Sequence, residues 1–287
     1  MIQIRSMTVS DVDAVMTVVE AANDALERRA GHEPESMPTW ARELFRQRTA
    51  RFVDRDPGGS WVAVDDAAVV GMVQAIRRGG FWGLSMFYVD PKSQNRGLGR
   101  RLLEAALSYA RGAELRMIMS SPDPRALRLY SLAGLAIHPA VEVEGEIDRS
   151  AVPTGLPGRP GDAADLALVA QVDAELRGSR AEDVEFLLRA GARMEVVAAG
   201  ANRGYVIFQG DRLRMLGATS STAATQLLWR YLAEAGPKAQ FGGLTAGQDW
   251  AVKVALAARL RVVPAGPLFM DGRKHPPIPW IASGWYF

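Results

Sequence analysis

Met86-Phe87-Tyr88-Val89-Asp90-Pro91-Lys92-Ser93-Gln94-Asn95-Arg96-Gly97-Leu98-Gly99-Arg100-Arg101 is the stretch on which the fold of this chain turns. Met86–Val89 reads as the end of a strand, and Pro91 stops the ladder because proline has no N–H to give. Gln94-x-x-Gly97-x-Gly99 then opens a helix whose apolar face runs through Leu98, Leu102, Leu103, Ala106, Leu107 and Ala110. Glycines at such a junction let the backbone turn tightly and bring its N–H groups against an anion. The first turn of a helix adds N–H groups without carbonyl partners and the positive end of the dipole, which suits a pyrophosphate. Arg96 and Arg100 add charge.

Two other phosphate loops do not fit. A P-loop needs a Lys-Ser/Thr pair directly after its second glycine, and none stands there. A dinucleotide fingerprint needs a third glycine where Leu102 stands, and an acid ending a following strand. A helix cap without a ligand is the plain alternative, since glycine often only punctuates structure.

Upstream, Ile2–Ile4 alternates as a short strand. Ser10 reads as a helix N-cap, with Asp11 and Asp13 well placed for a helix start. Val12, Val15, Met16, Val19 and Ala22 carry that helix to about Arg28, and a second helical pattern spans Trp40–Val53. Ser60–Val64, Val69–Ile76 and Gly83–Val89 read as strands separated by Asp65-Asp66 and Gly79-Gly80 turns. Downstream come a strand at Leu115–Ser120, a helix over Pro124–Ala133 and a strand near Val141–Ile147, with His138-Pro139 read as loop.

Residues 148–160, rich in Pro, Gly and small polar side chains, read as a linker. The order of parts then recurs: a helix over Asp162–Leu176, strands at Met194–Ala199, Gly204–Gln209 and Arg212–Ala218, a helix over Ala223–Ala235, a strand at Gln240–Leu244, a helix over Asp249–Leu260 and a strand at Leu268–Met270. The expectation is two tandem α+β domains, residues 1–147 and 161–287, each a mixed, mostly antiparallel sheet flanked by helices. The aromatic tail, Pro276–Trp280 and Trp285–Phe287, is expected to lie on a surface or reach a partner.

Val89-x-Pro91-x-x-Gln94-x-x-Gly97-x-Gly99, between a strand and an amphipathic helix, resembles the GNAT superfamily of N-acetyltransferases. The resemblance covers the first half of the chain in element order. It implies that residues Gln94, Asn95, Arg96, Gly97, Leu98, Gly99 and Arg100 hold the pyrophosphate of coenzyme A. It also implies that the preceding strand parts from its neighbour, so that Phe87, Tyr88 and Val89 line the acyl arm. Asp123-Pro124-Arg125-Ala126-Leu127-Arg128-Leu129-Tyr130-Ser131-Leu132-Ala133-Gly134-Leu135 is similar to a second family segment, Asn-x-x-Ala-x-x-x-Tyr-x-x-x-Gly-Phe. Asp123 takes the Asn position as a cofactor-binding residue and Leu135 the Phe position, both departures from the pattern. The family tyrosine protonates the departing thiolate, so Tyr130 inherits that role, and a phenol is chemically adequate as a general acid. Taken alone, Tyr130 would read as a core tyrosine.

The resemblance implies transfer of an acetyl group from acetyl-CoA to a primary amine by direct attack in a ternary complex. A non-catalytic acyl-CoA-binding sensor is the alternative. The general base stays open. Glu20, Asp24 and Glu27 share a helix face and read either as an amine site or as a solvated surface. The second half has lost both signatures: Ala255 stands where Tyr130 would be, Arg259 where Gly134 would be, and Gly217-Ala218-Thr219-Ser220 replaces the glycine loop.

Composition narrows the rest. Lys+Arg number 34 and Asp+Glu 32, a balance too even to suggest a nucleic-acid partner. No apolar run approaches the roughly 18 residues of a membrane span, no signal-like segment opens the chain, and a cytoplasmic location with no membrane partner is expected. With no cysteine and three scattered histidines, His32, His138 and His275, no metal is expected. The chain is expected to be a monomer or homodimer.

Overall fold

The computed structural model describes residues 2–94, 96–271 and 279–286. Two compact units result, one of Met1–Arg77 with Trp82–Gly112, the other of Arg78–Phe81 with Ala113–Phe287.

In the first unit, strand β1 (Gln3–Ser6) enters helix α1 (Val12–Ala30) through a single 3-10 turn at Val9–Asp11. The Asp11 carboxylate accepts from the Arg5 guanidinium at 2.8 and 2.7 Å, and from the Thr8 N–H and hydroxyl, each at 2.8 Å. Thr8 and Asp11, rather than Ser10, therefore close the helix start as a reciprocal capping box. The Arg5 hydrogen bonds hold the Asp11 carboxyl down at about 2, against an ordinary 3.8. A carboxyl depressed by folding contributes stability that is full above its unfolded value and lost as pH falls through its folded value. Asp11→Asn should cost roughly 1–3 kcal/mol at neutral pH. Urea melts should show that gap closing as the pH drops from about 4 to about 2; a gap independent of pH would remove the carboxylate from the account.

Strands β2 (Ser60–Asp65), β3 (Ala68–Arg78) and β4 (Phe81–Val89) follow α2 (Thr39–Arg55), and the sheet order is β1-β2-β3-β4. β1 with β2 and β2 with β3 are antiparallel, the second pair as the short Asp65–Asp66 turn requires. Val12, Val15, Met16 and Val19 of α1 and Phe45 and Val53 of α2 pack with Val62, Met72 and Met86 of the strands. Gly71, next to Met72, points to the opposite face. A Cβ there would come within 3.0 Å of Leu102 on α3 (Leu98–Ser108), so glycine lets that helix lie close.

The second unit holds β5 (Leu115–Met119), α4 (Pro124–Leu132), β6 (Ala136–Glu146), β7 (Arg159–Gly161), α5 (Leu166–Leu176), α6 (Ala181–Arg189), β8 (Arg193–Ala199), β9 (Asn202–Gln209), β10 (Arg212–Ala218), α7 (Ser221–Glu234), β11 (Lys238–Leu244), α8 (Asp249–Ala257), β12 (Arg261–Asp271) and β13 (Trp280–Ile281). Its sheet order is β5-β12-β6-β11-β10-β9-β8-β7, with β13 on β10. All these pairs are antiparallel except β10 with β11. The expected mixed, mostly antiparallel α+β class is therefore what the chain forms.

The compact units do not divide at Ile147 as the linker suggested. β12 slots between β5 and β6, pairing Phe269 with Ile118 on one side and Val262 with Val143 on the other. Two ladders tie Leu115–Glu146 to the C-terminal strand, so the cut falls at Gly112. His138-Pro139, expected in a loop, lies within β6, where His138 pairs with Leu268. Nor do residues 148–160 run as a free linker. Arg149 donates to the carbonyls of Leu232, Ala233, Ala235 and Gly236 at the end of α7, and β7 pairs with β8. Of the aromatic tail, residues 276–278 and 287 lie outside the described residues; among those described, Trp280, Ile281 and Tyr286 lie in the interior rather than on a surface. Helix α6, which the sequence pattern did not announce, carries the buried Asp183.

A repeat of letters underlies the repeat of elements. Arg159-Pro-Gly-Asp162-Ala-Ala-Asp165 matches Arg5-Ser-Met-Thr8-Val-Ser-Asp11. Arg159 grips Asp165 at 2.8 and 2.6 Å, and the Asp162 N–H donates to Asp165 at 3.1 Å. The same strand, 3-10 turn and helix follow. Between α5 and α6 the polypeptide is fastened by buried charge. Arg180 donates to Asp173 at 2.9 Å and to the Tyr205 hydroxyl at 2.7 Å, while Tyr205 donates to Asp173 at 2.6 Å. The β3–β4 turn is fixed here too: Arg78 forks onto Asp183 at 2.7 and 3.1 Å, and Arg177 lies over the Phe81 ring at 3.7 Å.

Candidate active site

β4 ends at Val89, and the loop beyond it is held by short local bonds. The Asp90 N–H donates to the Val70 carbonyl at 2.9 Å, and the Asp90 carboxylate accepts from the Lys92 N–H at 2.8 Å. Pro91–Ser93 form one 3-10 turn. Gln94 then folds back, its Nε2 donating to the Val89 carbonyl at 3.1 Å. Through this bond Gln94 fastens the loop to the strand end.

Gly97 is the N-cap of α3, with φ +73°, a left-handed conformation that side chains resist. The first helical bond runs from the Arg101 N–H to the Gly97 carbonyl at 3.2 Å. The amides of Leu98, Gly99 and Arg100 stand ahead of it, and a glycine cap has no side chain to spend on them. A Cβ on Gly97 would meet nothing within 4 Å, so the approach is open on that side. Arg96 lies 3.6 Å from Asp65, and Arg100 donates from Nε to Glu104 at 2.8 Å. Asn95 lies outside the described residues.

Phe87, Tyr88 and Val89 are half-buried at the end of β4. Burial raises the Tyr88 phenol, while the Arg48 charge and a hydrogen bond to Asn23 pull the other way. Arg48, on α2, is fully buried, its guanidinium over the Phe45 ring at 4.6 Å. These neighbours were not legible in the sequence, because an arginine in a helix as charged as α2 reads as surface. Along α1 the acids are engaged in surface pairs: Asp13 with Arg46, Glu20 with Arg42 at 3.2 Å, Asp24 with Arg28 at 3.5 Å and Glu27 with His32 at 3.0 Å.

The loop residues lie in the first unit; Asp123 and Tyr130 lie in the second. Asp123 is the N-cap of α4, accepting from the Arg125 N–H and from Arg125 Nε, both at 2.9 Å. Its carboxylate is engaged locally, which accounts for Asp standing where the family segment has Asn: both cap well. Tyr130 is 5 % exposed, its ring edge-on to Phe269 with centroids 5.4 Å apart. Gly134, at φ +88°, ends α4, and the Leu135 N–H reaches back to the Tyr130 carbonyl at 3.3 Å. That six-residue closure explains the Tyr-x-x-x-Gly spacing. Arg259 takes the same left-handed conformation after α8, with the Leu260 N–H bonded to the Ala255 carbonyl at 3.0 Å.

The corresponding helix start in the second half is closed. Ser220 caps α7, its Oγ accepting from the Ala223 N–H at 3.1 Å and bonding Asn202 at 2.6 Å. Among the described residues no helix is long and apolar enough to cross a membrane.

Residues 22–135 match the acetyltransferase (GNAT) family. No curated protein matches the sequence. Among solved structures, a provisionally assigned acetyltransferase from Pyrococcus horikoshii is 15% identical with a TM-score of 0.77, over 100% of this chain and 96% of that one. A GCN5-related N-acetyltransferase from Sphaerobacter thermophilus is 14% identical with a TM-score of 0.58, over 94% of this chain and 95% of that one. Another from Kribbella flavida is 17% identical with a TM-score of 0.60, over 94% of this chain and 70% of that one. At these identities the structures show the shared fold. The family match takes in the β4–α3 loop and the Tyr130 segment, so residues 22–135 are similar in sequence to the acetyltransferase (GNAT) family.

Proposed function

We propose that the chain transfers an acetyl group from acetyl-CoA to a primary amine, with coenzyme A held at the β4–α3 loop. One observation carries this: α3 begins at a left-handed glycine, with three backbone amides ahead of its first helical bond, whereas α7 begins under a serine cap. Amides at a helix start suit a pyrophosphate. Gln94, by tying the loop to Val89, keeps that start in register with the strand expected to line the acyl arm.

The acceptor nitrogen attacks the thioester carbonyl carbon, forming the C–N bond; the C–S bond breaks and the sulfur takes a proton. Tyr130 is the proposed donor of that proton, and the proton lost by the amine passes to water or to a base not assigned to any residue. Direct attack needs no covalent enzyme intermediate, in keeping with a chain that has no cysteine. A protein terminus, a lysine or a small-molecule amine would each satisfy this chemistry.

Acetyl-CoA at 100 times its Kd should stabilise the chain by about 2.7 kcal/mol through mass action, read as a rise in Tm. Gly97→Val, which puts a β-branched side chain at φ +73°, should weaken that binding at least about tenfold. Mass spectrometry of a panel of amines should show products heavier by one acetyl group. No thermal shift with any coenzyme A thioester would overturn the proposal.

A further inference from the structure

In the second unit the sheet splits. β10 and β11 are parallel neighbours, yet their register is a single pair, Arg212 with Gln240. Beyond that pair β10 takes another partner, and it comes from the chain itself. β13 pairs antiparallel with β10, Leu216 opposite Ile281 and Gly217 opposite Trp280. One step further, the Ala218 N–H donates to the Pro279 carbonyl at 3.2 Å. On the β11 side, a Cβ on Gly243 would lie 3.7 Å from the Ala282 methyl, so the segment spans the gap.

By the order of the repeat, β10 is the counterpart of β4: each is the fourth strand of its half, β1–β4 and β7–β10, and α3 and α7 are the next α-helices after them. Ala218 ends β10 as Val89 ends β4, so Leu216, Gly217 and Ala218 stand where Phe87, Tyr88 and Val89 stand. We infer that Pro279–Ala282 is a built-in occupant of the second half's acyl-arm cleft, with the Pro279 carbonyl on the amide equivalent to that of Val89. The equivalence to an acyl cleft rests on the proposed function; the strand insertion does not.

Physical chemistry favours a permanent occupant. Strands that part inside a sheet leave backbone groups that must find partners, and β13 supplies them. Trp280, Ile281, Ala282, Ser283 and Tyr286 are all buried. The Trp280 ring lies 5.9 Å from the Arg180 guanidinium carbon, and that guanidinium is itself held by Asp173 and Tyr205. With Ser220 capping α7 as well, both features of a coenzyme site are closed in this half, and the chain binds one coenzyme.

Backbone hydrogen exchange by NMR on the full chain, with calorimetry on acetyl-CoA, tests this. Without ligand, the Ala218 amide should exchange at least about 10³-fold more slowly than in an unfolded peptide. Saturating acetyl-CoA should leave the amides of residues 216–218 unchanged, and the stoichiometry should be one per chain. Rapid exchange at Ala218 in the free chain, ligand-induced change at residues 216–218, or a stoichiometry of two would overturn the inference. A protected Ala218 with no coenzyme heat at all would uphold the inserted strand and count against the proposed function alone.

Discussion

Tyr130→Phe should lower kcat for acetyl transfer by about 10²- to 10⁴-fold, the range for losing a positioned general acid, while leaving the Kd for acetyl-CoA nearly unchanged. The substitution deletes one oxygen and keeps the ring. The edge-on contact with Phe269 at 5.4 Å therefore persists, and so does the backbone closure of α4 through Gly134 and Leu135. Folding should be affected little, since a volume-conserving change in a packed site usually costs under about 1.5 kcal/mol. A group acting only on the departing thiolate would reduce kcat and kcat/KM together. Steady-state kinetics beside calorimetry separates the cases. Full turnover in the variant would take the proton-donor role away from Tyr130. Loss of coenzyme binding together with turnover would make the phenol structural.

The largest effect on stability is expected at Asp173. Asp173→Ala should cost about 3–5 kcal/mol, the cost of breaking a buried ion pair from one side. It strands the Arg180 guanidinium and the Tyr205 hydroxyl, both fully buried, which now share the carboxylate. At roughly 2–4 °C per kcal/mol for a unit of this size, Tm should fall by about 6–20 °C. Replacing all three groups, as in Asp173→Leu with Arg180→Met and Tyr205→Phe, should restore much of the loss, because no buried charge is then left alone. The pH dependence carries a sign. Burial pushes the Asp173 carboxyl up, but the Arg180 charge and hydrogen bond overcome it and its pKa ends below 3.8. This stability is full above the unfolded value and disappears as pH falls through the folded one. Equal chemical denaturation of wild type and Asp173→Ala at pH 7 would show that the network holds nothing.

The candidate site was readable to different depths. Gly97 and Gly99, between an apolar strand and an amphipathic helix, announced a helix start open to an anion, because the features involved lie within a dozen residues. Gly134 was readable for the same reason: a left-handed closure needs a glycine, and it sits four residues beyond Tyr130. The task of Gln94 was not readable, since its partner is a backbone carbonyl that composition does not mark. Arg48 was hidden by its company, a helix so rich in arginine that burial of one gives no signal. A sharper comparison of the two halves would have found the Arg-x-x-Thr/Asp-x-x-Asp repeat at Arg5–Asp11 and Arg159–Asp165, which fixes where the second copy begins.

By itself the sequence determined most of the elements and their order, though not α6, β7 or β13, together with the glycine loop, the tyrosine segment and the loss of both in the second half. Each follows from turn chemistry, capping and hydrophobic period, which act over a few residues. Only the tertiary structure decided which strands became neighbours. β12 enters between β5 and β6, which moves the compact boundary from Ile147 to Gly112, and residues 279–282 enter the split beside β10. Strand partners are chosen by backbone hydrogen bonds that any residue but proline can make, between segments that lie up to about 150 residues apart in the alternation of one generic ladder. Nothing in the local letters of Leu268–Met270 or Trp280–Ile281 names the edge on which it will land.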